Sequence, residues 1–238
     1  MLGETMSHTP LFADRTHAGE LLARVIHDVL TQQTIDSGVK PVPIVYALPR
    51  GGVPVAAPIA RLLDCPLTIV VAKKISHPEN PELAIGAVTT FGNVLWADQK
   101  LSRLKHDARW REVALNKAIN QAKSLEALLI PACPQVNAEG ATTLILVDDG
   151  IATGMTMAVA ATALKTLSPA AVWLCSPVAP QTLLPWLEQW GDRTIILETP
   201  EPFWSVSNFY AQFPQVDTLE VLRYLQQQKT IGRMDLYE

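Results

Sequence analysis

The sequence is sparing with charge, with aromatic rings and with cysteine. Charged side chains make up 18% of the 238 residues, and 19 Lys and Arg against 23 Asp and Glu leave a formal net charge of -4. That balance provides no broad positive field to gather a nucleic-acid backbone, so no nucleic-acid partner is expected. The three cysteines, Cys65, Cys133 and Cys175, are odd in number and fit no paired metal-ligand spacing. They read as small hydrophobes of a reducing compartment. No window reaches the roughly 18 apolar residues of a membrane span, and the first residues carry neither the basic nor the apolar region of an export signal. A cytoplasmic protein without a membrane partner is the expectation.

Familiar catalytic signatures are missing as well. There is no GxxxxGK[ST] loop for a nucleoside triphosphate, no GxGxxG turn after the first strand, and no GxSxG nucleophile elbow. His8, His17, His27, His77 and His106 complete no HExxH or other metal spacing.

What is present is core material, at 48% hydrophobic residues. Ala18, Leu21, Leu22, Val25 and Val29 recur at helical spacing and predict a helix over 16–36, closed near Gly38. VPIVYALP at 42–49 reads as a buried strand, followed by a helix in which Pro54 suits the opening turn and Pro58 predicts a bend or a late start. PLTIVVAKK at 66–74 has the β-branched density of a central parallel strand ending in two lysines. Residues 75–98 turn polar and rich in Pro and Gly, with strand-like pieces at 84–90 and 93–97. They suit a flexible flap inserted after the second core strand.

A long helix is predicted over 98–129, with Arg111 interrupting its apolar stripe either as a snorkelling side chain or as a cation aimed at a ligand. Further strands at 142–149, 170–176 and 194–198 alternate with helices at 154–167 and 180–190. The Asp217/Glu220 capping box predicts a last helix in the 199–238 loop-and-helix segment. The sum is α/β, a doubly wound and mostly parallel sheet in a single domain over 1–238.

The chemistry gathers at LILVDDGIATGMTM, residues 144–157. In an open parallel sheet the ligand crevice lies beyond the carboxyl ends of the strands, and Asp148 and Asp149 fall at such an end. Gly150 to Thr156 then forms a tight turn into a helix N-terminus, where free N–H groups favour phosphate, and Thr153 and Thr156 add hydroxyls. Carboxylates beside an anion cradle are compatible only if they address another part of the ligand. A phosphorylated sugar with a cis-diol satisfies both. A second loop, YALPRGG, offers Arg50 with the Gly51–Gly52 backbone as a clamp for another anionic group. Lys73 and Lys74 add charge at a third strand end, and alternation favours Lys73 at the cleft.

VDDGIATGMT resembles the signature of type I phosphoribosyltransferases. FADRTHAGELLA, ALPRGGVPVAAPIA, KKISHPENPELAIGAV and VSNFYAQFPQVDTLEV resemble a bacterial subgroup named only for that family, over about residues 12–222. The resemblance implies that Asp148 and Asp149 hold the ribose hydroxyls, directly or through magnesium. It implies that Ile151, Ala152, Thr153, Gly154, Met155 and Thr156 enclose the 5-phosphate. Arg50, Gly51, Gly52, Lys73 and Lys74 would serve the diphosphate of 5-phosphoribosyl 1-diphosphate, in a loop where a cis non-proline peptide is common. Arg50, Lys73, Asp148 and Asp149 are the residues expected to carry catalysis, with Mg2+ as cofactor.

The implied reaction joins the phosphoribosyl group to a nitrogen acceptor, a nucleobase or other small heterocycle, and releases diphosphate. Glu79 and Glu82 from the flap and Trp204, Phe209 and Tyr210 near the end are the candidate acceptor contacts. Two departures from the subgroup stand out: Lys73 where arginine is usual, and Ser207 where a glycine-like residue is expected. A sensor that binds the donor without turning it over, and a phosphosugar hydrolase, are the competing functions. Related enzymes are commonly dimers, so a homodimer is a further expectation. Asp14 and Arg15 read as a pairing and capping couple at the start of the first helix.

Overall fold

The computed structural model describes residues 10–77, 80–97 and 108–234. Helix α1 (Arg15–Ser37) opens on an Asp14 cap, whose carboxylate accepts the His17 N–H at 2.8 Å, and closes at Gly38 with φ 70°. Strand β1 (Val42–Ala47) and helix α2 (Gly52–Leu63) follow. α2 has no late start: it runs through Pro58, with residues 52–60 all buried, so packing outweighs the missing N–H.

Strand β2 (Leu67–Ile69) is only three residues long and lies at the edge of the main sheet rather than in its centre. The reason is its partner. β1 ends at Ala47, Val70 makes a last bond to the Ala47 carbonyl at 3.1 Å, and the chain then peels away. Lys73 and Lys74 therefore do not cap a core strand. They lie in β3 (Ala72–His77), which pairs antiparallel with β4 (Asn80–Thr89), and β4 pairs with β5 (Val94–Trp96).

Helix α3 (Ala108–Leu129) covers one side of this small sheet, where Ile75, Ile85 and Val88 meet Ala114 and Ala118. Residues 98–107 of the predicted long helix lie outside the described residues. Arg111 lies 5.8 Å from the rings of both Trp96 and Trp110, a cation held over aromatic faces.

The main sheet resumes with β6 (Gly140–Val147), helix α4 (Met155–Lys165) and β7 (Pro169–Val178). The helix expected over 180–190 is a 3-10 turn leading into the single-turn α5 (Leu184–Leu187). β8 (Arg193–Glu198) and α6 (Thr218–Met234) complete the chain, and the Asp217 carboxylate accepts the Glu220 N–H at 2.8 Å as the capping box requires.

The parallel sheet has the order β2-β1-β6-β7-β8. Side chains alternate strictly between its two faces. Val45, Ala47, Ile145, Val147, Trp173 and Cys175 meet α1, α2 and α6, whereas Ile44, Tyr46, Leu144, Leu146, Val172 and Leu174 meet α4 and the small sheet. Helices thus cover both faces, as a doubly wound fold demands. The strand order reverses between β1 and β6, and the carboxyl ends of those strands are where open α/β sheets bind ligands. Among the described residues no helix is long and apolar enough to cross a membrane.

Candidate functional site

β1 and β6 pair in register to their last residues, Ala47 opposite Val147, so the two loops that follow leave the sheet side by side. Leu48 still donates to the Val147 carbonyl at 2.9 Å. The Pro49–Arg50 peptide bond is cis. A Cβ at Gly51 would collide with Oδ2 of Asp149, so glycine lets the PRGG loop lie against the acidic pair.

The two aspartates are not equivalent. Asp149 is gripped from several sides. Arg15 donates through Nε to its Oδ2 at 2.7 Å, and the Tyr210 hydroxyl donates to its backbone carbonyl at 2.5 Å. Arg15 is itself fixed by a 2.7 Å bond to the Pro214 carbonyl and lies 3.6 Å over the Phe213 ring. Asp148 accepts the Asp149 N–H at 2.9 Å through Oδ1 and forms no ion pair among the described residues.

Burial pushes both carboxyls up. Asp148 moves well above the usual carboxylate range, with the neighbouring Asp149 charge adding to the effect and Lys74 and Arg15 opposing it. For Asp149 the Arg15 bond pulls the other way. A half-buried carboxylate without an ion pair suits hydroxyl donors or a hydrated divalent cation. Among the described residues no cluster of three or more His, Cys, Asp or Glu could hold a metal by itself, so magnesium would rely on Asp148, Asp149, water and donor oxygens.

The predicted phosphate loop divides in two. Ile151 turns inward, 3% exposed, and gives its N–H to the Val178 carbonyl at 2.9 Å, so it anchors the loop and does not face a ligand. Met155 packs into the core beneath α4. Ala152 and Thr153 are exposed, Gly154 takes φ 74° at the start of α4, and Thr156 is half-buried. Among the described residues nothing accepts from the N–H groups of Ala152, Thr153 or Gly154. That leaves a crest of donors at a helix N-terminus.

Arg50 and the half-buried Lys73 line one cleft together, and Lys74 lines an adjoining one with Ser76 and His77, the two sharing Lys117 and Gln121 of α3. The Lys73 ammonium is pulled down by burial first and by the Arg50 charge second.

The aromatic candidates separate sharply. Phe209 and Tyr210 are 7% and 5% exposed and pack with Phe12 and Val178, so neither ring is free to stack on a ligand. Trp204 is 80% exposed and lines a cavity of about 860 Å³ with Ala152, Thr153, Thr182, Glu201 and Phe203. Ser207 bonds Ser205 at 2.8 Å in the turn above the site. Glu79 and the side chain of Glu82 lie outside the described residues.

Arg15 is the residue beside the acidic pair that sequence reasoning placed too locally. A signal existed: it begins the buried stripe Arg15, Ala18, Gly19, Leu22 of α1, and a cation on a core face needs a partner. Replacing Arg15 by Met is expected to cost about 3 kcal/mol at neutral pH, because Asp149 is left buried without its counter-charge. Asp149 is then raised further, so the cost should shrink as pH falls through that raised value and the carboxyl becomes neutral. Urea unfolding at pH 5 and pH 7.5 checks this; equal losses at both would refute the pairing.

The family model described as a phosphoribosyl transferase domain matches residues 16–190. A Mycobacterium tuberculosis H37Rv protein named "Putative phosphoribosyl transferase Rv0571c" is 31% identical over 215 residues, 90% of this chain and 46% of that protein. A counterpart in strain CDC 1551 matches equally. The chain spans about half the length of these curated relatives. The crystal structure of TT1426 from Thermus thermophilus superposes with a TM-score of 0.70 at 29% identity, covering 91% of this chain and 98% of that one.

Proposed function

The chain belongs to the phosphoribosyl transferase domain family, and we propose that it transfers the phosphoribosyl group from 5-phosphoribosyl 1-diphosphate to a nitrogen acceptor, releasing diphosphate. The observation that carries this is the in-register exit of the PRGG loop and the Asp148–Asp149 loop, side by side at the strand-order reversal.

In this proposal the 5-phosphate sits on the N–H groups of Ala152, Thr153 and Gly154, with the hydroxyls of Thr153 and Thr156 beside them. Asp148 and Asp149 receive the ribose hydroxyls, Asp149 being aligned by Arg15 and Tyr210. Arg50, the Gly51–Gly52 backbone and Lys73 face the diphosphate. The acceptor nitrogen forms a bond to C1 as the C1–O bond to diphosphate breaks with inversion, and the electron pair leaves on diphosphate. No covalent nucleophile is needed. The protein holds the two reactants in line, stabilises charge on the leaving group and excludes water. Magnesium, when bound, would add positive charge against the diphosphate and screen the two carboxylates.

Trp204 is the acceptor-side aromatic, since its ring is free beside the phosphate crest. A panel of purines, pyrimidines and other nitrogen heterocycles, scored by diphosphate release with donor and Mg2+, tests the reaction. At least one acceptor is expected to raise release by tenfold or more over donor alone, a change of about 1.4 kcal/mol in barrier. If none does while the donor still binds, the protein is a donor-binding sensor instead.

A further inference from the structure

The cleft beside Arg50 joins residues of two sequence motifs to a helix that carries none. It is an open cleft with a volume of about 880 Å³, and Arg50 and Lys73 share it with Asn116, Lys117, Asn120 and Gln121 of α3. Among the described residues no carboxylate lines it, although the chain as a whole carries a formal charge of -4. Among the same residues none of its three cations forms an ion pair.

The four α3 residues recur at i, i+1, i+4 and i+5, which puts them on one exposed face of the helix. That face is distinct from the buried one of Ala114, Ala118 and Ala122. Three like charges around one cavity repel unless an anion arrives between them, and carboxamides at the same wall can donate to its oxygens.

We propose that α3 is the second jaw of the diphosphate site, with Lys117 as its third cation and Asn116, Asn120 and Gln121 as its neutral donors. The proposal rests on Arg50 and Lys73 facing diphosphate and extends that site to a helix outside the family signature. Two walls facing each other would close on the phosphate chain from both sides. The ribose and its 5-phosphate would remain on the β6 loop, out of reach of α3. Lys117 is then a binding residue for the leaving group, with no part in holding the sugar.

Calorimetry with inorganic diphosphate and, separately, ribose 5-phosphate tests this on the full chain in the presence of Mg2+. Lys117→Gln is expected to weaken diphosphate binding about tenfold, the scale of one charge-assisted contact, and to leave ribose 5-phosphate binding unchanged. Lys117 is exposed, so the substitution should not disturb folding, and Asn116→Ala/Asn120→Ala provides a second variant of the same wall. Diphosphate affinity within twofold of the parent in both variants, with Arg50→Ala still weakening it, would overturn the α3 jaw alone. Diphosphate binding that is insensitive to Arg50→Ala would instead remove the underlying assignment of the PRGG loop.

Discussion

Changing Asp148 to Asn should weaken binding of phosphoribosyl diphosphate about a hundredfold and, at the same time, make the unliganded protein more stable at neutral pH. The first effect follows from the loss of charged hydrogen bonds to the ribose hydroxyls or to a magnesium shell, each worth roughly 1.5–3 kcal/mol. The second follows from the sign of the shift. Asp148 is raised well above 3.8 by burial and by Asp149, so the fold favours its protonated form relative to the unfolded chain. Its contribution to stability is present below about 3.8 and is lost as pH rises through the raised value. At pH 7.5 the ionised side chain is a load on the fold, and a neutral Asn, which still accepts the Asp149 N–H, removes it. Urea unfolding should show a gain in stability at pH 7.5 that fades at pH 4. A variant that is less stable at pH 7.5 would mean that Asp148 is a structural carboxylate rather than a held-open ligand.

Arg50→Ala is expected to separate the two ends of the donor. Donor affinity should fall about a hundredfold, because a guanidinium removed from a diphosphate takes charge-assisted hydrogen bonds with it. Affinity for ribose 5-phosphate should stay within about twofold, since its phosphate rests on the N–H crest of Ala152, Thr153 and Gly154 and its hydroxyls on the aspartates. Parallel titrations with the two ligands decide it. Equal losses would place Arg50 at the sugar, or show that its substitution collapses the loop that packs against Asp149.

The sequence disclosed the parallel sheet because β1, β6 and β7 are buried on both faces and read as continuous apolar runs. It marked the two loops that leave the sheet side by side, because glycines, threonines and paired aspartates cluster there at strand ends. It misjudged 66–74 because β-branched residues signal extended backbone and not the identity of the partner strand. The break at Val70 and Val71 follows from β1 running out at Ala47, a property of another segment.

The same limit hid Arg15. Its partner Asp149 lies 134 positions away, and sequence proximity pointed to the Asp14 cap instead. Phe209 and Tyr210 looked like base-stacking rings, yet Phe12 and Val178 bury them, and of the three aromatic candidates Trp204 alone is left free. Lys117 and the carboxamides of α3 carry no motif at all. Their grouping becomes visible only when the helix is laid against Arg50 and Lys73.

Calorimetric titration of the parent protein and Asp148→Asn with phosphoribosyl diphosphate in the presence of Mg2+ tests the central claim most directly. Expected is one donor site per chain in the parent, displaced by either ribose 5-phosphate or diphosphate, and about a hundredfold weaker in the variant. No binding to the parent, or binding of equal strength in both proteins, would contradict a donor site built on the Asp148–Asp149 loop.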